Sequence, residues 1–369
     1  MRKLLFILVA LQALLANAGE LKHGDLKIKY SVEEADEWTE LFRRASGWTG
    51  ADGIFSYDDK ASGKKVFVFS DTWIGEVDPQ SRQRKTMKMI NNSMAALQGD
   101  KPSPDQIEFF WDKEKNSTPF KPADKGWYWL QDGFIHNGYF YNFPMRILKN
   151  PKGSEGFQFR TAAVDILKIP LKNGQPQFTQ TKQIDMKLYT KVEKRELYYG
   201  AGVMKNAGDG YIYIYGRFHK PFQIHLVVAR VKPEEVENKE AWRFWNGKNW
   251  DKDIDKSASL GEGGPELSVT KIESGPLRGK YLLCSMPISR EVFVRIGDSP
   301  VGPFGQRQVI YKTPTQDQIE GIYTYNAKAH PVLSKDGELL ISYNVNATNL
   351  GLHKNAEIYR PRFIWLKFK

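Results

Sequence analysis

A single cysteine, Cys284, stands in 369 residues. No disulfide can form within the chain, and no cysteine cluster can hold zinc. A Gly-x-Ser-x-Gly elbow and a phosphate-binding glycine loop are both missing, which removes support from esterase and nucleotide readings. His219 and His225 do not have zinc-ligand spacing. Beyond the N-terminus no apolar run is long enough to cross a membrane. Lys and Arg number 54 against 43 Asp and Glu, a net charge of +11, yet no helix gathers them into the stripe a nucleic-acid partner wants. They are scattered over turns and strand edges, where lysine discourages edge-to-edge pairing. The excess reads first as a solvated basic surface and second as an attraction for an anionic or cell-envelope glycan.

What is present begins with a leader. Met1-Arg2-Lys3, an apolar stretch over residues 4–15 and Ala16-Asn17-Ala18 before Gly19 are the three regions of a secretory signal peptide. The expected organisation is a signal peptide over 1–18 and one domain over 19–369, secreted or periplasmic. An exported chain without disulfides suits a bacterial envelope.

The body of the chain repeats. Gly63, Gly138, Gly210, Gly279 and Gly337 each open a hydrophobic run (KKVFVF, YFYNF, YIYIYG, KYLLC and ELLISY), at intervals of 58 to 75 residues. A short apolar run precedes each glycine, and in most units a third run follows. β-branched and aromatic residues alternate with Gly, Asn, Asp and Lys, the grammar of successive antiparallel hairpins. Five such units predict an all-β, five-bladed β-propeller, with a β-sandwich as the alternative. Apolar residues at helical spacing over 32–45 predict a short helix before the first blade. Residues 101–125 and 232–256 read as long insertions of the kind that rim a site.

In a propeller the starts of the innermost strands converge on the axis, so aligning the units yields candidates. The corresponding positions hold Asp52, Asp132, Tyr199, Glu266, and Tyr325 with Asn326 and His330. Glycoside hydrolysis needs one carboxylic acid and one carboxylate. Asp52 is the candidate base, Glu266 the candidate acid, and Asp132 a third acid for positioning or pKa tuning. Asp71, in Ser-Asp-Thr-Trp, is a further acid, and Glu262 could replace Glu266. Taken singly, each Asp-Gly is also an ordinary turn. Trp73, Trp129, Tyr199, Tyr325 and Asn326 are candidate sugar-binding residues, since Trp and Tyr stack on sugar rings. Arg217 and His219 could meet substrate hydroxyls or an acidic group.

At these residues the chain resembles the five-bladed β-propeller glycoside hydrolases of the arabinanase and β-xylosidase type. It is similar above all to a formerly uncharacterised propeller family that includes endo-D-arabinanases. The matching stretches are Asp52 with GIFSY, VFVFSDTWIG from Val66, YIYIYGRF from Tyr211, Pro265 with ELSVT, SPVGPF from Ser299, and YNAKAHPVLSKDGELLISY from Tyr325. They span Trp48 to Asn346. The resemblance implies an axial acidic site, a furanose-containing glycan as substrate, no required cofactor, and a calcium near His330. It carries the base role to Asp52, the acid role to Glu266 and the central histidine to His330, with Asp71 as a further acid. Blade two departs from the pattern at its supporting acid, the place of Asp132. From another class, a lectin-like propeller would keep the aromatic platform and lack a working acid pair.

Overall fold

The computed structural model describes residues 27–153, 158–193, 195–205, 207–220, 223–314 and 320–369. The expected leader lies outside these residues. The chain is mostly β, and all pairing between its strands is antiparallel. The five recurring glycines are the turn residues before the second strand of successive hairpins, for example Phe55–Asp59 with Lys64–Phe69 and Tyr139–Asn142 after Gly133–His136. All five have φ between 69° and 82°, the left-handed region that glycine enters without a Cβ penalty. A Cβ there would meet nothing within 4 Å, so conformation rather than space selects glycine.

Among the described residues hydrogen bonding resolves seven sheets, two more than the five repeats predict. The extra two arise where long strands break in the middle. Ser46–Ala51 runs on into Phe55–Asp59 through Asp52, Lys64–Phe69 into Thr72–Val77 through Asp71, and Arg84–Ile90 into Ser93–Gln98 through Asn91 and Asn92. Three hairpin strands thus interrupt together, leaving one four-stranded and one three-stranded sheet in series. The next unit does the same: Trp127–Trp129 leads through Asp132 to Gly133–His136, and Phe159–Val164 leads through Asp165 to Ile166–Lys172. Later units bend without breaking, with register shifts between Tyr199 and Gly202 and between Tyr325 and Lys328.

Five large hydrophobic clusters lie between sequence-adjacent units. One joins residues 55–120 to 128–169, the next 134–166 to 186–244, and the third 204–228 to 267–304. The fourth joins 272–310 to 327–366, and the fifth returns from 333–363 to 35–109. The two ends of the described chain share a sheet: Tyr30–Glu34 pairs with Pro361–Phe368, Tyr30 opposite Phe368. The predicted helix is therefore shorter than the helical spacing over 32–45 suggested. Its first residues extend as that closing strand, and α1 covers Asp36–Leu41, burying Trp38 and Leu41. The insertion over 232–256 is not a free loop. Arg243–Trp245 and Trp250–Asp251 extend the third unit to six strands, and Trp242 is buried.

A candidate acidic site at the strand breaks

The strand breaks aim the acids. Asp52 and Asp71 face each other across neighbouring strands, the Asp52 N–H donating to the Asp71 carbonyl at 3.2 Å and the Ser70 N–H to the Asp52 carbonyl at 3.0 Å. The Asp132 N–H reaches the Gly200 carbonyl of the next unit at 3.1 Å, and the Asn326 N–H reaches the Met286 carbonyl of the unit before at 3.0 Å. The Ala329 N–H donates to Ser268 Oγ at 2.8 Å, and Ser70 Oγ donates to the Leu130 carbonyl at 2.7 Å. The inner strands of neighbouring units are thus stitched together near the candidate acids.

Burial dominates the electrostatics. It pushes Asp52 up to about 7, with Asp71 and Glu266 adding repulsion and the Tyr325 hydroxyl pulling the other way. The same cause raises Asp71 to about 6, against hydrogen bonds from Asn91 (3.2 Å) and Trp129 Nε1 (3.0 Å) to its Oδ1. Asp132 also rises to about 7 by burial. Both its oxygens are committed: Oδ1 accepts from Tyr57 at 2.9 Å and the Gly133 N–H at 2.7 Å, and Oδ2 from the Val203 N–H at 2.6 Å. Glu266 forms an ion pair with Lys328, Nζ to Oε2 being 2.5 Å, in a direction that does not make a hydrogen bond. Lys328 is wholly buried, with its ammonium 4.4 Å from the Phe55 ring centre.

Asp52 Oδ1, Gln131 Oε1, Asn326 Oδ1, and Nε and Nη1 of Arg217 are all buried without a hydrogen-bond partner. Leaving one such atom unpaired costs about 1–3 kcal/mol. A concentration of them on these strands is what a polar ligand would satisfy. By contrast, a cavity of about 440 Å³ lined by Thr39, Glu357, Arg360 and Arg362 among others lies between α1 and the last strand. Glu357 is already paired there with Arg43, Arg82 and Arg360.

His330 does not offer itself to an ion. Its Nδ1 and Nε2 each sit 2.8 Å from a serine hydroxyl, Ser56 and Ser342, and burial together with Lys328 lowers it to about 3. Among the described residues no three His, Cys, Asp or Glu side chains group to hold a metal. The residues around His330 therefore do not fit a directly bound calcium, which wants six to eight oxygen ligands.

The family model Domain of unknown function (DUF5005) matches residues 35–367. The chain belongs to the DUF5005 family. No curated protein sequence matches it. A solved structure of a "putative hydrolase" from Bacteroides ovatus is similar to this DUF5005 chain over 94% of its length and 97% of the other, with a TM-score of 0.72 at 19% identity. That likeness shows a shared fold. An alpha-L-arabinofuranosidase from Podospora anserina in complex with cellotriose covers 88% of this chain and 92% of its own, at 10% identity and a TM-score of 0.45. A GH43_1 enzyme from Xanthomonas citri complexed with xylotriose covers 90% and 92%, at 12% identity and a TM-score of 0.45. The arabinanase-type family of the sequence resemblance is narrower than what the family match returns.

Within this DUF5005 domain the sequence candidates separate. Asp52, Asp71, Glu266, Trp129 and Tyr325 come together through the contacts and charges above; Asp132 shares Tyr57 and Lys328 with Glu266, Arg217 lies within charge reach of Glu266, and Asn326 joins through its backbone bond to Met286. Trp73 and Tyr199 do not present an open face to a sugar. Trp73 is buried and donates its Nε1–H to His353 at 2.9 Å, while Tyr199 is wholly buried with its hydroxyl 2.6 Å from Ser257 Oγ. His219 stands exposed, edge-on to Tyr198 at 5.7 Å. Glu262 turns outward to Arg307 at 3.7 Å. Four residues escaped the sequence reading: Tyr57, Lys328, Asn346 and His353. For Lys328 a signal existed. It lies between two alanines at the buried end of a strand that stops at Ala329, two residues before His330, whose ring its charge reaches.

Proposed function

We propose that the protein is a secreted glycoside hydrolase acting on furanosidic, arabinan-like glycans at the axis of a five-bladed propeller. The two broken pairs of sheets then count as one bent blade each. The five clusters that run from unit to unit and return from the last to the first support that count. The observation that carries the function is the placing of Asp52, Asp71 and Asp132 at the strand breaks, each raised to about 6 or 7, with Glu266 adding charge to Asp52 from the start of Leu267–Lys271. Carboxyls that titrate near neutrality are what proton transfer at the glycosidic bond needs.

In this reading Asp52 is the base that activates water and Glu266 the acid for the leaving oxygen. Asp132 holds neither role itself, since both its oxygens are spent; it tunes the charge of the site. Trp129 lies against the site through Asp71, and Arg217 offers two unpaired N–H groups to sugar hydroxyls or to an acidic substituent. One observation favours the opposite division of labour. Glu266 is ion-paired with Lys328, and an ammonium beside a carboxylate suits a base, while burial pushes Asp52 toward the protonated form. A leaving-group series separates the two. With aryl furanosides, the variant lacking the acid keeps turnover on good leaving groups and loses it on poor ones, whereas the variant lacking the base loses both. Asp52→Asn and Glu266→Gln should show one pattern each. The same pattern in both, or no loss in either, overturns the pairing.

A further inference from the structure

A line of hydrogen bonds leads from Trp73 to Asp52 through three residues that lie more than 270 positions beyond Asp52 in the chain, and every donor along it points the same way. Trp73 Nε1–H has only a proton to give, and it meets His353 Nδ1 at 2.9 Å. Nδ1 must therefore be the acceptor, so the proton of the neutral ring sits on Nε2. Nε2 lies 3.0 Å from Asn346 Oδ1. The orientation of that amide is fixed independently, because the Ala347 backbone N–H, which can only donate, meets the same Oδ1 at 2.7 Å. Asn346 Nδ2 then donates to the Tyr325 hydroxyl oxygen at 3.1 Å. Its oxygen occupied, the hydroxyl turns its own proton to Asp52 Oδ2 at 2.6 Å.

We propose that Trp73, His353, Asn346 and Tyr325 form a one-directional donor relay that occupies Asp52 Oδ2 and leaves Oδ1 as the oxygen that exchanges a proton with the reacting group. The inference rests on the reading of Asp52 as an acid–base residue and holds whichever of the two roles Asp52 takes. Oδ1 is buried with no direct hydrogen-bond donor, and the Tyr359 hydroxyl is a second phenol close enough to favour the Asp52 carboxylate. These four are positioning residues: they act on the substrate only through Asp52. A chain of aligned donors is stronger than its separate bonds, and a group held this way need not reorganise as charge develops.

The surroundings keep the direction constant over the working pH range. Burial and the Arg84 guanidinium, which donates to the His353 carbonyl, lower His353 to about 4, and Tyr359 packs against the ring at 4.9 Å. Above that pH the imidazole is neutral, with a single proton to place. Around Asp52 the other ionisable groups are Asp71, Glu266, Tyr359 and Tyr323, none of which lies in the line.

Two NMR measurements on the full chain test the relay. In the wild-type protein, ¹⁵N shifts should show His353 unprotonated at Nδ1 and protonated at Nε2 from pH 5 to 8; a proton on Nδ1 overturns the proposal without any variant having to fold. In a ¹³C-carboxyl titration of Asp52, Tyr325→Phe should raise the midpoint by about 1–2 pH units, the loss of one hydrogen bond to a charged group. Asn346→Leu, which keeps the shape of Asn346 but gives Tyr325 no donor, should raise it in the same direction by less. An Asp52 midpoint in Asn346→Leu equal to the wild type would overturn the relay, leaving at most a lone tyrosine contact. Neither readout depends on turnover. If both hold and no glycoside is cleaved, the proposed function fails while the relay stands; if glycosides are cleaved and the tautomer is wrong, the relay alone fails.

Discussion

Asp52 lies about three pH units above its ordinary 3.8, and that displacement has a sign in stability. Well below pH 3.8 the carboxyl is protonated in both folded and unfolded chains. As pH rises to about 7, the unfolded chain gives up a proton that the fold retains, so the contribution to stability present at low pH is lost across that window. Asp52→Asn cannot ionise. Its melting temperature should fall less than that of the wild type between pH 4.5 and pH 8, measured by calorimetry; equal falls would mean that Asp52 is not raised. Lys328 offers a second test at this scale. Lys328→Met leaves Glu266 without its buried cation, at a cost of about 3–5 kcal/mol. The double variant with Glu266→Gln should recover part of it in urea melts, and strictly additive losses would contradict the pairing. Asp52, Asp132 and His330 were legible because each follows or precedes a recognisable turn at a matched phase. Asn346 and His353 were not, because their roles come from meeting Tyr325 and Trp73 in space, and no local pattern announces such a meeting.

At the scale of elements, the hairpins were legible and their interruptions were not. A glycine at φ near 70° leaves a mark in the sequence, whereas a strand that breaks at Asp71 or Asn91 still reads as one alternating run. In the first unit the third strand is split into Arg84–Ile90 and Ser93–Gln98, and there the repeat pattern shows no third run. Lysines and methionines dilute its alternation. The glycines themselves differ in a testable way. Gly63 has open space around it and only its φ of 69° to protect, so Gly63→Ala should cost about 1 kcal/mol. At Gly75 a Cβ would lie 2.0 Å from the Thr86 carbonyl oxygen, and backbone must move to admit it. Chemical denaturation should therefore find Gly75→Ala well below Gly63→Ala in stability; the reverse order would contradict the assigned strand pairing.

Across the whole molecule, the ends of the described chain meet in one sheet, a pairing of residues about 330 apart that no local pattern predicts. Replacing residues 30–34 with a flexible Gly/Ser segment should strip the Tyr30–Glu34 strand from Pro361–Phe368, lower the melting temperature and promote aggregation through the exposed edge. No helix among the described residues is long and apolar enough to cross a membrane. Excess chelator tests the calcium expected near His330, since a ligand that stabilises only the native state reveals itself by its removal: a clear drop in the melting temperature supports an ion held through carbonyls or water, and an unchanged curve a purely structural histidine. The most direct test of the central claim is turnover of arabinans and aryl furanosides by the purified protein beside Asp52→Asn and Glu266→Gln. The expected result is measurable hydrolysis by the wild type and a loss of at least ~10²-fold in each folded variant; both variants cleaving at the wild-type rate would contradict it.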